Sequence, residues 1–238
     1  MGKKKRRKKE VPTGKQRGSS SFRVNPVVIA VLAVVVLTAA FMLLRGGDGK
    51  INSTESGSLE EQFAGIQKPV ATIEMESGEL IKVELDPVNA PNTVRNFISL
   101  AEERFYDGLI FHRVIPGFMI QGGCPEGTGR GGPGYFIKGE FAANGHNNGI
   151  LHKRGVISMA RSEPFDSAGS QFFITVAEQP HLDTQYAAFG TVLEGMDVVD
   201  RISEVPRDSE DKPLEDQRIR RVTVEKFGVE YGPPEKVQ

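Results

Sequence analysis

Phe111-His112-Arg113-Val114-Ile115-Pro116-Gly117-Phe118-Met119-Ile120-Gln121-Gly122-Gly123 sets one guanidinium and one side-chain amide among large apolar groups, then ends in paired glycines. A β-strand sends alternate side chains to opposite faces, and the apolar residues of this run alternate only loosely. One strand cannot bury all of them. Some therefore line a concave surface, with Arg113 and Gln121 as its polar fixtures, the make-up of a small binding site. The alternative is a buried strand followed by a glycine turn, and a second segment further along the chain decides between them.

Upstream, Pro69 opens a stretch in which Val70-Ala71-Thr72-Ile73-Glu74-Met75-Glu76 and Glu79-Leu80-Ile81-Lys82-Val83-Glu84-Leu85 both alternate. Their junction at Ser77-Gly78 predicts a hairpin. Pro91 suits the first turn of a helix, and Val94, Phe97, Ile98, Ala101 and Phe105 follow at helical spacing before Asp107-Gly108. Downstream, the patterning predicts strands over residues 111–121, 135–141, 156–160, 171–176, 187–192 and 220–227. Met196, Val199 and Ile202 mark a second short helix. Many short strands with two isolated helices predict a mainly β domain, closed as an antiparallel barrel so that no edge is exposed.

Gly127-Thr128-Gly129-Arg130-Gly131-Gly132 satisfies G-x-G-x-x-G, yet Pro133-Gly134 and a strand-like Tyr135-Phe136-Ile137 follow it. No helix N-terminus is then available for a phosphate, so no nucleotide cofactor is expected. His112, His146, His152 and His181 lack ligand spacing and Cys124 is the only cysteine, so no metal and no internal disulfide is expected either.

The deciding segment begins with Val156-Ile157-Ser158-Met159-Ala160-Arg161, a strand entering a polar loop. Ser167-Ala168-Gly169-Ser170-Gln171-Phe172-Phe173-Ile174-Thr175 follows, then His181-Leu182-Asp183 and Tyr186-Ala187-Ala188-Phe189-Gly190. With this set in place the chain strongly resembles the cyclophilins, which are peptidyl-prolyl cis/trans isomerases. Residues 111–123 are similar to the family's F-H-R-[IV]-I-P-x-F-M-x-Q-G-G stretch and residues 169–174 to its G-S-Q-F-F-I stretch, and the likeness runs from Pro69 to Gly228.

The resemblance implies an eight-stranded antiparallel barrel capped by two helices, with a substrate groove on its outer face. It gives Arg113 the family's catalytic role and makes Phe118, Met119, Phe173 and Leu182 the pocket for a proline ring. Gln121 and Gln171 match side chains that hold the substrate backbone, and Ala160 and Arg161 fall where loop backbone lines the groove. Arg161 departs from the family's usual asparagine, so only its main-chain role is carried over. His181 stands where many eukaryotic members have tryptophan and Tyr186 where they have histidine. Both departures resemble bacterial members and imply weak cyclosporin A binding.

These residue types suit the chemistry. Turning an X–Pro bond means breaking amide resonance over a barrier near ~20 kcal/mol, and no bond is made or cleaved. A dry pocket can hold the ring while the preceding carbonyl rotates. An arginine fork, with five N–H donors, can favour the twisted amide, whose nitrogen has regained a lone pair. The expected activity is prolyl isomerisation of proline-containing polypeptides. The competing reading is a non-catalytic module that binds proline segments as a chaperone.

The chain's beginning has another texture. Residues 1–23 hold ten Lys/Arg against one acid, which leaves 20 of the 30 basic and 30 of the 31 acidic residues for the remainder, a balance of about −10. Val27 to Leu44 then runs eighteen residues without a charge. As a helix this would reach about 27 Å, close to the hydrocarbon thickness of a bilayer. Residues 24–44 therefore read as a transmembrane signal-anchor in contact with lipid. Thr38-Ala39-Ala40 keeps open the rival of a cleaved signal peptide. Basic charge on the N-terminal flank keeps the tail of residues 1–23 in the cytoplasm and sends the rest across the cytoplasmic membrane. Beside a span, the tail is better explained by topology and anionic lipid than by nucleic acid. Residues 45–68 read as a flexible linker, 69–230 as the isomerase domain and 231–238 as a C-terminal tail.

Overall fold

Alternation over residues 70–85 gives the hairpin it predicts. In the computed structural model, which describes residues 65–237, β1 (Val70–Met75) and β2 (Leu80–Leu85) pair antiparallel with Ala71 opposite Val83 and Ile73 opposite Ile81. All four of these side chains face the core and are fully buried. The basic tail, the span over residues 24–44 and the linker up to residue 64 lie outside the described residues.

Helix α1 (Pro91–Glu102) follows, with proline in its first turn. It has no local side-chain cap. Glu140, distant in sequence and buried, accepts from the backbone N–H of Asn92 (2.9 Å) and of Thr93 (2.8 Å) and from the Thr93 hydroxyl (2.7 Å). A carboxylate at the positive end of a helix satisfies orphan donors there, and this one also ties α1 to the 140 segment. Phe105, expected in the helix, lies past its end and packs against the core from the following turn.

The remaining strands are β3 (Arg113–Ile115), β4 (Met119–Gly122), β5 (Val156–Met159), β6 (Phe172–Thr175), β7 (Ala188–Glu194) and β8 (Ile219–Glu225), with α2 (Met196–Ser203) before the last. They form one antiparallel sheet in the order β3-β4-β6-β5-β7-β2-β1-β8. Register shifts at Glu74/Met75, Lys82/Val83 and Ile157/Ser158 bend it into a curled half-barrel. The expected closure by a continuous ladder is not what joins its ends. Between the β3 and β8 sides runs a seam of one bridge, Ile110 with Arg218, and single backbone bonds such as Phe111 N–H to Gln217 O (3.0 Å). Inside the curl, Phe97, Tyr106, Phe111 and Phe172 meet in edge-on and tilted contacts 5.0–6.0 Å apart. Each is fully buried and contributes about 1.5–3 kcal/mol.

Two strand expectations need correcting, although mainly β with two helices stands. Residues 111–121 are two strands rather than one, because Pro116 cannot donate to a ladder and Gly117, at φ 71°, turns the chain back. Residues 135–141 are no strand. They make only single bridges, Phe136 with Val237 and Ile137 with Ala168. Gly139 gives its N–H to the Asp166 carboxylate (2.9 Å) instead of a ladder, and a Cβ there would overlap the Phe141 ring.

Candidate active site

The β3–β4 hairpin deals its side chains to two faces. Val114 and Ile120, opposite one another, enter the core and are fully buried. Arg113 opposite Gln121, and Ile115 opposite Met119, go to the other face. Strand β6 does the same with its paired aromatics. Phe172 joins the main core, while Phe173, in register with Gln121, joins a separate small cluster with Met119 and Leu182. Phe118, Ile115, Ala160 and Tyr186 pack against that cluster. The two arms of the sequence motif meet because β4 and β6 are neighbours in the sheet.

Above this cluster lies a cleft of about 150 Å³, lined by Arg113, Phe118, Met119, Gln121, Ala160, Arg161, Phe173, Leu182 and Tyr186. At ~30 Å³ per water that is room for about five waters, enough for one small ring. Of the residues singled out from the sequence, Gln171 and His181 are not on its lining. Gln171 lines a larger groove of about 780 Å³ that shares Gln121, Ala160 and Arg161 with the cleft and runs on past Gly131 and Tyr135. His181 stands exposed outside, on the 3-10 turn Pro180–Leu182, its ring 5.7 Å from that of Phe118.

The polar groups are held from behind. The Gln121 amide donates to Gln171 Oε1 (3.0 Å), and Gln171 Nε2 donates to the carbonyls of Gly129 (2.8 Å) and Gly131 (2.9 Å). Two amides thereby tie the glycine-rich loop to the cleft. Arg113 is 42% exposed at the rim, its Nε 3.8 Å from Asp211 Oδ2. Asp211 also faces Arg207 (3.3 Å) and its carbonyl accepts the Val114 N–H (2.8 Å), so one residue positions the guanidinium and fixes its loop to β3. Beside Arg113, burial and then that guanidinium's charge push the His112 imidazole down to about 4. Among the described residues neither His112 ring nitrogen has a hydrogen-bond partner of good geometry, and the Ile110 backbone offsets the effect only in part.

The sequence reading left the Arg161 side chain without a role, and the structure gives it one. Its guanidinium lies 4.8–5.2 Å from the ring centres of Tyr186, Phe165 and Phe141 and donates to the carbonyls of Gln185, Ser162 and Glu163. Cation–π contact of this kind pins the 162–165 loop beside the cleft. Asp211, Ile115 and His152 also escaped notice. Asp211 sits in a polar stretch with no periodicity, and only its place across the seam brings it to Arg113.

What faces the cleft is a guanidinium and an amide beside apolar walls, an arrangement for gripping a small ring and donating hydrogen bonds to the chain that carries it. A family model described as cyclophilin type peptidyl-prolyl cis-trans isomerase/CLD matches residues 70–224. The chain is 52% identical over 129 residues to peptidyl-prolyl cis-trans isomerase B of Bacillus subtilis, covering 54% of this chain and 87% of that one. It is 49% identical over 147 residues to a peptidyl-prolyl cis-trans isomerase of Helicobacter pylori, covering 61% and 85%. A solved Cryptosporidium parvum cyclophilin type isomerase, in the presence of the dipeptide Ala-Pro, matches with a TM-score of 0.60 at 32% identity, over 66% of this chain and 98% of that one. The chain belongs to the cyclophilin-type peptidyl-prolyl cis-trans isomerases, and it is an enzyme of that class.

Proposed function

We propose that Arg113 is the catalytic group and that the ring of a substrate proline sits against Phe118, Met119, Phe173 and Leu182. The observation that carries this reading is the placement of one tethered guanidinium at the rim of an apolar cleft sized for a single small ring. As the X–Pro amide twists, its nitrogen becomes pyramidal and basic, and an N–H of Arg113 donates to it. That bond exists only in the twisted state, so it lowers the barrier rather than tightening ground-state binding. Partial desolvation beside the apolar walls strengthens it. Gln121, its amide N–H already given to Gln171, keeps its carbonyl oxygen for the substrate backbone, and the main chain at Ala160 and Arg161 extends the same track. Tyr186 closes the side wall against Phe173, with ring centres 5.9 Å apart. The Ala-Pro dipeptide accompanying the Cryptosporidium parvum relative supports a proline-containing substrate.

Exchange NMR on a peptide with one Ala-Pro bond tests this directly with the full chain. Faster cis/trans exchange together with shifts in the proline signals is expected, and Phe118→Ala should raise KM. Proline shifts without faster exchange would identify a binding module instead.

The setting we propose is protein folding outside the cytoplasmic membrane, with residues 24–44 as a single-pass anchor and the N-terminus inside. It is supported by eighteen uncharged residues beside a strongly basic flank. Protease added to intact cells should digest the isomerase domain and spare residues 1–23; the reverse pattern overturns the orientation.

A further inference from the structure

We infer that His152 is a positioning residue for the proline cleft, setting Leu182 through Asp183 and Phe173 by ring contact while touching no substrate. The inference rests on the reading above that Phe173 and Leu182 hold the ring.

His152 is 1% exposed, and both of its ring nitrogens are used. Nδ1 lies 3.0 Å from Asp183 Oδ1, and Nε2 lies 3.0 Å from the hydroxyl of Ser158. The same carboxylate oxygen accepts the His152 backbone N–H (2.7 Å), and the His152 carbonyl accepts the N–H of Gln179 (2.8 Å). One residue therefore stitches the 152 segment to both ends of the 3-10 turn Pro180–Leu182. That turn carries Leu182, a wall of the cleft, immediately before Asp183. Underneath, the imidazole stacks on Phe173 at 6.0 Å and 16° between planes, and Ser158 is paired with Phe173 across β5 and β6.

The hydrogen bonds are mutually consistent in one protonation state. A neutral ring with its proton on Nδ1 donates to the carboxylate and accepts from the serine hydroxyl. Burial favours that neutral form, while the Asp183 hydrogen bond pulls the other way.

Ser158, His152 and Asp183 stand in the order of a nucleophilic triad, so a hydrolytic role needs excluding. Ser158 is fully buried and does not line the cleft, so no carbonyl can approach its hydroxyl. What the network does reach is the pair of side chains that bound the ring site from below and from one side. A buried polar network that is fully satisfied fixes one arrangement of the groups around it, and here that arrangement sets the width of the cleft.

The test uses the full chain with two variants. His152→Phe keeps a ring against Phe173 and removes both side-chain hydrogen bonds, and Asp183→Asn keeps the stack and removes the charge. Each is assayed on an Ala-Pro peptide and on its six-membered-ring analogue, Ala-pipecolyl, well below the variant's own Tm. Expected are a loss of about tenfold or more in kcat/KM for His152→Phe, carried mainly by KM, and a several-fold narrowing of the preference for the five-membered ring. Asp183→Asn should shift both in the same direction to a smaller extent. The inference is overturned if a folded variant keeps that preference, whether or not its overall rate falls. If His152→Phe does not fold, Asp183→Asn alone decides on the same criterion. Phe118→Ala separates the two layers: if it leaves KM unchanged, the reading of the cleft fails, and if it raises KM while the His152 and Asp183 variants keep their ring preference, only the positioning role fails.

Discussion

Replacing Arg113 by alanine isolates the proposed chemical step from the fold. A hydrogen bond to a charged donor is worth about 1.5–3 kcal/mol net, and each ~1.36 kcal/mol in a barrier is tenfold in rate. If the guanidinium bonds the amide nitrogen only in the twisted state, Arg113→Ala should therefore lower kcat/KM by roughly 10- to 150-fold, mainly through kcat. Stability should barely move. The Arg113–Asp211 pair is long, at 3.8 Å, and half exposed, so it contributes under about 1 kcal/mol, or a few degrees in Tm at most. Asp211 is not orphaned by the change, since Arg207 stays 3.3 Å away. Exchange NMR on an Ala-Pro peptide gives the rate and thermal unfolding gives the control. A folded variant whose kcat/KM lies within twofold of the unsubstituted chain refutes the donor mechanism.

Asp211→Asn should leave Arg113 in place but less tightly aimed, costing a few-fold in kcat and little in KM; an effect confined to KM would contradict the geometry. Stability should fall with acid, because His112 titrates at about 4 in the folded state against about 6.5 when unfolded. The unfolded chain then binds more protons over that interval, so stability is intact above about pH 6.5, declines through the interval and levels off below 4. The loss attributable to His112 is about 3 kcal/mol, and urea titrations of His112→Asn should show a correspondingly shallower pH slope, with an unchanged slope counting against it. Finally, His181 stands exposed beside Phe118, so His181→Trp adds an indole donor and a large apolar face. It should tighten cyclosporin A inhibition by tenfold or more, and equal inhibition of both proteins would show that position 181 does not govern it.

Legibility from sequence followed periodicity. The β1–β2 hairpin was readable because Ala71, Ile73, Met75, Ile81, Val83 and Leu85 alternate onto one buried face, and α1 because proline opens it and its apolar stripe is regular. The cleft was readable wherever its residues lie inside the two motif segments, and Arg113, Phe118, Met119, Phe173 and Leu182 all meet in it. Where local signals competed, the reading slipped. Residues 135–141 open with a strand-like Tyr-Phe-Ile, but the packing at Gly139 and the pull of Asp166 take their backbone elsewhere. Asp211 and His152 could not be read at all, since their value comes from partners that only the sheet order brings near. Arg161 shows the reverse case, a side chain without a legible role in the sequence that the rings around it supply with one.

The sheet order places the first strand of the domain between the second and the last, with Val70 opposite Glu225 and Ile73 opposite Val222. Contacts of such long sequence separation form late and slowly. During synthesis, an emerging chain can complete the first hairpin at once, but one flank of it stays bare until nearly the whole domain has left the ribosome. Ribosome-stalled or prematurely terminated products ending before Ile219 present that flank as a template for pairing with other chains. This isomerase is thus itself exposed to aggregation for most of its own birth.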